Sequence, residues 1–292
     1  MKPSRPGLWQ WVFPVLGVFG AVLLAAYVAK GLFLYGYQRH YLYIPLTVEV
    51  GAPATYGLPY VQDVTTKTAD GLSLRSWFMP PPAGRPVILF FHGNGDNLIS
   101  IDYVFPFFHP RKFGVFACEY RGYSRNPGDP SEQGFYADAR GCVAWLKDHG
   151  YATDKLIFYG VSLGAAVAIQ MATELQPKTL VLQSPFTSFT DLARLAEPDY
   201  PVGYMVTEAW DNLSKIGKVR SALLILHGTA DDLIPIGMSR RLYAAANDPK
   251  TLVEIPGADH LNMYEHGAGD RIAGWMNRQL AGGKTHDTGS GK

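Results

Sequence analysis

The sequence contains a serine between small residues in the pattern Gly-x-Ser-x-Gly, at Gly160-Val161-Ser162-Leu163-Gly164. The pattern follows the apolar segment 155–159 and precedes an alanine-rich segment, which is typical of a serine on a tight strand-to-helix turn. Such a turn exposes the hydroxyl, and the helix that begins there points its positive end at a developing negative charge. Ser162 is therefore our candidate nucleophile for covalent catalysis.

Stabilising an oxyanion beside that serine needs two hydrogen-bond donors. The residue after the nucleophile supplies the first donor, the backbone N–H of Leu163, and the loop after an earlier strand supplies the second. We place that loop at 91–97, Phe-His-Gly-Asn-Gly-Asp-Asn, directly after the apolar run 86–91. We predict that the backbone N–H of Asn94 is the second donor of this oxyanion hole.

A serine hydroxyl becomes a nucleophile when a base removes its proton, and the base needs an acid to fix its tautomer. In the strand–helix architecture that carries this turn, the acid and then the histidine follow the serine along the chain. We predict Asp231 as the acid and His260 as the base, because each follows a predicted strand, at 222–226 and 252–255. Other candidates remain in these loops: Asp232, Asp259 and His266.

Strands and helices alternate after Pro45. Strands are predicted at 61–67, 72–79, 86–91, 112–119, 155–159, 179–183, 222–226 and 252–255, and helices at 131–149, 162–174, 236–246 and 268–280. The alternation predicts an α/β fold with a mostly parallel central sheet, helices on both faces, and ligands at the carboxyl ends of the strands. The less regular stretch at about 186–219 is predicted to be a short lid insertion.

The N-terminal region contains an uncharged, apolar segment at 7–29. As a helix it is long enough to cross a hydrocarbon core of roughly 30 Å. We predict a transmembrane anchor there, between a short tail at 1–6 and a juxtamembrane segment at 30–58; a cleaved signal peptide and a buried soluble helix are the alternatives. The flanking charges favour a single-pass topology with the main domain on the outer (periplasmic or lumenal) side: Lys2 and Arg5 against Lys30 and Arg39.

The rest of the chain is predicted to be one domain at 59–281, followed by a disordered tail at 282–292. A net charge of +1 gives no reason to expect nucleic acid as a partner, and the oligomeric state is left open. No histidine or cysteine spacing suggests a metal site. We interpret Cys118 and Cys142 as core residues, with a disulfide between them as the alternative in an oxidising compartment, and we expect His92 and His227 to brace their own turns.

Six motifs in this order resemble those of α/β-hydrolase-domain serine hydrolases with a single N-terminal membrane helix, the branch that includes protein depalmitoylases. They are FFHGNGDN, EYRGYSRNPGDPSEQG, YGVSLGAA, QSPFTS, HGTADDLIP and PGADH, and the resemblance covers about residues 35–280. It implies an α/β-hydrolase fold with the catalytic triad and oxyanion hole formed by the residues assigned above: Ser162, Asp231, His260, Asn94 and Leu163. Such proteins are mostly esterases or thioesterases and need no cofactor.

The sequence also departs from that family pattern. Gly95-Asp96 stands where the family often has Ala-Gly, and Leu261-Asn262 stands where it often has Asn-Asp. The first departure changes the polarity of the oxyanion loop, and the second changes the residues that support the base. The N-terminal tail lacks the cysteine cluster that is lipidated in depalmitoylases, so depalmitoylation in particular is not carried over.

The lid at 186–219 is rich in aromatic and aliphatic residues, and we predict that Phe186, Tyr204 and Trp210 contact the substrate. The alternative is that these residues only bury the lid's own helices. We expect a membrane-anchored serine hydrolase that cleaves carboxylic ester or thioester bonds through an acyl-enzyme. The substrate is an acyl ester, a thioester or a lipid-like molecule. A serine peptidase or amidase, and a catalytically idle binding protein, are the alternatives.

Overall fold

The computed structural model describes residues 9–282. Over this range the chain forms an eight-stranded sheet and nine α-helices. The strands are β1 (Gln62–Lys67), β2 (Ser73–Met79), β3 (Val87–Phe91), β4 (Gly114–Cys118), β5 (Leu156–Val161), β6 (Thr179–Gln183), β7 (Ala222–Gly228) and β8 (Lys250–Ile255). The predicted tail at 1–6, the first two residues of the predicted anchor, and residues 283–292 of the predicted disordered tail lie outside the described residues.

The helices surround the sheet and form the lid and the N-terminal region. They are α1 (Trp9–Leu42), α2 (Val104–Phe108), α3 (Glu132–Asp148), α4 (Leu163–Leu175), α5 (Phe189–Ala196), α6 (Val202–Met205), α7 (Leu213–Ile216), α8 (Ile236–Ala245) and α9 (Ala268–Leu280). The predicted strands and the four predicted helices end within two residues of these bounds, whereas the short helix α2 was not predicted.

The strand order in the sheet is β1-β2-β4-β3-β5-β6-β7-β8. The first two pairs, β1–β2 and β2–β4, are antiparallel, and all the pairs from β4 to β8 are parallel. The central strand β3 is buried along its whole length, as a parallel strand covered on both faces must be. The predicted fold class, a mostly parallel α/β-hydrolase sheet, is confirmed.

Two hydrophobic layers lie on opposite faces of the sheet. Helices α3, α4, α7 and α8 cover one face, and α2 and α9 cover the other. Cys118 on β4 and Cys142 on α3 are both buried and unbonded in the first layer, as the core interpretation predicted. This arrangement leaves the carboxyl ends of the parallel strands free to carry functional loops.

Helix α1 is 34 residues long and extends to Leu42, well past residue 29. At 1.5 Å per residue it is about 51 Å long, which exceeds a hydrocarbon core of roughly 30 Å. An 18-residue window within Trp11–Leu42 has a mean hydropathy of 2.3, and none of that window is buried. The helix therefore has both a stretch suited to a bilayer and a polar C-terminal end.

The C-terminal end of α1 packs on the lid, the segment 186–219 that carries α5, α6 and α7. Four of its side chains contact the lid: Tyr27 with the Asp199 carbonyl, Lys30 with Glu197, Gln38 with Met205 and Thr207, and Arg39 with Glu208. These partners explain why the helix continues through polar residues, because the lid satisfies side chains that would otherwise favour water.

Candidate active site

The turn between β5 and α4 places Ser162 at the carboxyl end of the central sheet. Ser162 has a φ of 53° and a ψ of −116°, a backbone conformation that few non-glycine residues adopt. Its backbone N–H donates to the Gln183 carbonyl at 2.9 Å, which fixes the turn against β6. The strained turn and the helix that begins at Leu163 are what the Gly-x-Ser-x-Gly pattern predicts.

Two glycines are required by the close packing of this turn. A Cβ at Gly160 would lie 2.3 Å from the Gly164 carbonyl oxygen, and a Cβ at Gly164 would lie 2.1 Å from the Phe91 carbonyl oxygen. Both obstacles are backbone atoms, so neither can rotate away. The turn and the loop after β3 are thus held in direct contact, which sets the distance between the serine and the oxyanion loop.

We expect Gly164→Ala to destabilise the fold by about 3 kcal/mol or more, since it forces the backbone of β3 away from α4. Gly237→Ala is the matched control, because nothing lies within 4 Å of a Cβ at Gly237 in helix α8. The control should be neutral or stabilising by about 0.5–1 kcal/mol. Thermal unfolding of the full chain in detergent measures both, and equal melting temperatures for the two variants would contradict the packing argument.

Ser162, His260 and Asp231 are brought together from three loops. The Ser162 Oγ lies 3.1 Å from His260 Nε2, and His260 Nδ1 lies 2.7 Å from an Asp231 carboxylate oxygen. In the tautomer that satisfies both contacts, Nδ1–H donates to the carboxylate and Nε2 accepts from the serine hydroxyl. This is the geometry in which an imidazole can accept the serine proton.

Asp231 is held in its ionised form by the groups around it. Burial opposes the charge, but hydrogen bonds from His227, His260 and the Ile234 N–H outweigh burial and lower the pKa of Asp231 below its usual value of 3.8. The second carboxylate oxygen accepts from the Leu233 and Ile234 amides at 3.1 and 2.8 Å. His227 Nε2 lies 3.2 Å from the carboxylate and 2.8 Å from the Ile234 carbonyl, so it braces the turn of the acid.

The rival candidates for acid and base have other surroundings. Asp259 accepts from the Leu261 and Asn262 amides and from the Asn262 side chain, so it caps the turn that follows His260. The Asn262 side chain also receives the Asp259 N–H at 2.8 Å, which supports the base despite the departure from the family pattern. Asp232 is exposed at the cavity wall, and His266 contacts only the Asn262 carbonyl among the described residues.

The two predicted oxyanion donors border the same cavity as Ser162. Leu163 begins α4, and Asn94 lies in the loop after β3. Within residues 9–282, neither backbone N–H donates to a protein acceptor, so both are available to a substrate oxygen. The neighbouring Gly93 N–H is taken by the Asp96 carboxylate at 3.2 Å, and Asp96 also accepts from Ser100. Asp96 therefore shapes the loop, which gives the Gly95-Asp96 departure a structural role.

A buried ion pair lies beneath this loop. His92 Nε2 is 2.7 Å from Glu119, and both side chains are fully buried. Burial opposes the charge of His92, but the attraction and hydrogen bond of Glu119 outweigh burial and raise the pKa of His92. Glu119 also accepts from the Leu98 N–H and the Ser124 hydroxyl, and so ties the loop at both ends. The sequence analysis missed Glu119; its signal is a carboxylate directly after the apolar strand β4.

The Asn94 side chain has a second, unpredicted role. Its Nδ2 donates to the Leu42 carbonyl at 2.9 Å, and its Oδ1 accepts from the Ile44 N–H at 2.9 Å and from the Tyr123 hydroxyl at 2.8 Å. The end of helix α1 is thereby hydrogen-bonded to the residue whose N–H borders the catalytic cavity. The N-terminal helix and the oxyanion loop are one connected unit.

The cavity above Ser162 has a volume of about 950 Å³. Phe186 lines it, as predicted, together with Phe189, Leu192 and Ile234. The other two predicted substrate contacts lie elsewhere and need correction. Trp210 is fully buried against aromatic residues of the core, and Tyr204 is 95% exposed and does not line the cavity. Tyr204 lies in the four-residue helix α6 and Trp210 lies between α6 and α7, so no helical periodicity indicates which way these side chains face.

Known proteins resemble this chain in sequence. A family model described as serine aminopeptidase, S33, matches residues 82–201. An uncharacterized protein of Mycobacterium tuberculosis, Rv2307c, is 36% identical over 245 residues, which cover 82% of this chain and 86% of that protein. The chain belongs to the α/β-hydrolase family. The α/β-hydrolase domain-containing protein WAV2 of Arabidopsis thaliana is 28% identical over 85% of this chain and 88% of its own length.

Solved structures show the same α/β-hydrolase fold. The esterase Pf2001 of Pyrococcus furiosus superimposes with a TM-score of 0.67 at 17% identity, covering 82% of this chain and 98% of the esterase. Within the part of the chain that the structure describes, no group of three or more His, Cys, Asp or Glu side chains is arranged to hold a metal ion.

Proposed function

We propose that this chain is a serine hydrolase that cleaves carboxylic ester or thioester bonds through an acyl-enzyme. The observation that carries the proposal is the line of contacts from Ser162 through His260 to Asp231, at 3.1 and 2.7 Å, on a strained strand-to-helix turn. All three residues are chemically competent, and the cavity above them is open to a substrate. An idle binding protein would have no need to keep this arrangement.

In the proposed reaction the Ser162 oxygen attacks the acyl carbon while His260 Nε2 takes its proton. The backbone N–H groups of Leu163 and Asn94 donate to the oxyanion that forms on the carbonyl oxygen. The alcohol or thiol then leaves with the proton from His260, and the acyl group stays on Ser162. A water molecule, deprotonated by His260, attacks the acyl-enzyme; the bond between the acyl carbon and Ser162 Oγ breaks, His260 returns the proton to Ser162, and the carboxylic acid is released. Asp231 remains ionised throughout and holds the imidazole.

We also propose that α1 anchors the enzyme in a membrane, with the predicted segment 7–29 in the bilayer. The exposed apolar surface of α1, more than half exposed at Trp9, Phe13 and Phe19, supports this proposal. The remainder of the helix then stands outside the hydrocarbon and carries the lid contacts of Lys30 and Gln38, while Tyr27 contacts the lid from the end of the membrane segment. The flanking charges favour the outer side for the catalytic domain.

A peptidase or amidase is the second candidate, favoured by the description of the matching family model. The esterase Pf2001, whose fold this chain shares, is named for ester cleavage, and this favours ester bonds. The deciding experiment measures kcat/KM of the full chain in detergent for matched p-nitrophenyl esters and p-nitroanilides of the same acyl groups. We expect the esters to be cleaved faster, and faster cleavage of the anilides would reverse the assignment. Absence of fluorophosphonate labelling at Ser162 would exclude both.

A further inference from the structure

A second cavity lies between helix α1 and the lid, outside the catalytic cavity. Its volume is about 440 Å³, and we call it the α1–lid groove. One wall is α1, with Phe33, Leu34 and Tyr41, and the other is the lid, with Ala193, Met205 and Val206. The charged pair at its edge, Lys30 and Glu197, is joined at 2.7 Å, which leaves the interior apolar.

Both walls of the groove have helical periodicity. On α1 the lining positions are 30, 33, 34, 38 and 41, with 35 at the margin of that face, and on α5 and just beyond it they are 189, 193, 196 and 197. Spacings of three and four residues place each set on one face of its helix. The polar contacts described above, such as Gln38 with Thr207, join the two walls without filling the space between them. The groove is thus bounded by two helical faces that are joined by hydrogen bonds.

The groove borders the catalytic cavity. Four residues line both spaces: Tyr41, Phe189, Ala193 and Ala196. At its other side the groove lies against the exposed apolar surface of α1. The rim of the catalytic cavity is apolar as well, with Leu195, Leu233 and Leu261 at least 60% exposed. Apolar side chains therefore line both spaces that lie between the helix that we place in the membrane and Ser162.

We infer that the α1–lid groove binds the hydrocarbon tail of a long-chain acyl substrate whose carbonyl carbon lies at Ser162. The inference rests on the proposed function and names its substrate class: esters or thioesters of long-chain fatty acids, entering from the bilayer along α1. A group about the size of a water molecule occupies roughly 30 Å³, so the volume of the groove holds on the order of fifteen such groups. A chain of that length fills the groove, whereas a short acyl group stays within the catalytic cavity.

The test uses the full chain in detergent and two p-nitrophenyl esters, the butyrate and the palmitate. Leu34→Trp and Val206→Trp fill the groove from opposite walls, and neither residue borders the catalytic cavity. Leu32→Trp is the matched control, because Leu32 lies on the same helix, is 68% exposed and does not line the groove. Ser162→Ala, measured in parallel, defines the background for each ester.

We expect both groove variants to lower kcat/KM for the palmitate by about tenfold or more, the value of roughly two buried methylenes. Butyrate hydrolysis should stay within about twofold of wild type, as should both esters with the Leu32→Trp control. The same contrast is expected in labelling rates with short-chain and hexadecyl fluorophosphonates, which do not depend on turnover. Retained short-chain labelling shows that each variant is folded.

If the ratio of kcat/KM for the palmitate to kcat/KM for the butyrate were unchanged in both groove variants, the inference would be overturned, and the serine mechanism would stand. An equal loss for both esters would also overturn it, since the groove would then support the lid rather than a tail. If the wild-type protein itself hydrolysed neither ester and was not labelled by either probe, the proposed function would be wrong, and the inference would fail with it.

Discussion

Replacing Ser162 by alanine is expected to lower kcat/KM for p-nitrophenyl esters by about 10⁴-fold or more. The reason is that Ser162 Oγ is the protein atom that forms a covalent bond with the acyl group in the proposed mechanism. Its hydroxyl lies 3.1 Å from His260 Nε2, the base that takes its proton. The residual rate should come from the oxyanion donors and substrate binding alone.

The matched control for this measurement is Ser100→Ala. Ser100 lines the same cavity, but its hydroxyl contacts the Asp96 carboxylate and the Asn97 backbone rather than a histidine. Its loss should cost at most about tenfold, the value of one hydrogen bond. Labelling with a fluorophosphonate should disappear in Ser162→Ala and persist in Ser100→Ala. Wild-type labelling that survives in Ser162→Ala would place the nucleophile elsewhere.

The catalytic residues were predictable from the sequence because local rules govern them. The small residues around Ser162 are required by backbone contacts within the turn, and the loops of Asp231 and His260 follow apolar strands that can be recognised one at a time. Parallel strands then bring their carboxyl ends to one edge of the sheet. The order of the three residues along the chain and the assignment of the strands before them were enough to predict that they lie close together.

The lid could not be predicted in the same way, since its packing depends on distant segments. Trp210 is buried because Tyr43, 167 residues earlier, accepts its indole N–H and packs beside it. Nothing in the composition of 186–219 separates such a core residue from a cavity residue. The length of α1 was missed for a related reason, as the polar residues after 29 have partners in the lid that hydropathy does not reveal.

The acid of the triad is the assignment with the closest rival, and Asp231→Asn compared with Asp232→Asn separates the two. All the groups that face the Asp231 carboxylate are donors: the amides of Leu233 and Ile234 on one oxygen, and the imidazoles of His227 and His260 on the other. Backbone amides cannot reverse their role. An asparagine must therefore keep its carbonyl oxygen on them and turn its NH₂ toward the two histidines.

That NH₂ forces His260 to accept a hydrogen bond at Nδ1, which moves the imidazole proton to Nε2, where the Ser162 proton should be received. We expect Asp231→Asn to lower kcat by about 10⁴-fold at neutral pH, with little change in structure. Asp232 is exposed, and the carboxylate hydrogen-bonded to His260 Nδ1 is that of Asp231, so Asp232→Asn should stay within about tenfold of wild type. If the large loss occurred in Asp232→Asn instead of Asp231→Asn, Asp232 would be the acid of the triad.

Because the hydrogen bonds around Asp231 lower its pKa, its charge is lost only at a pH below the usual carboxyl range. An acidic limb seen near neutral pH in the wild-type rate profile must then report protonation of a group other than Asp231.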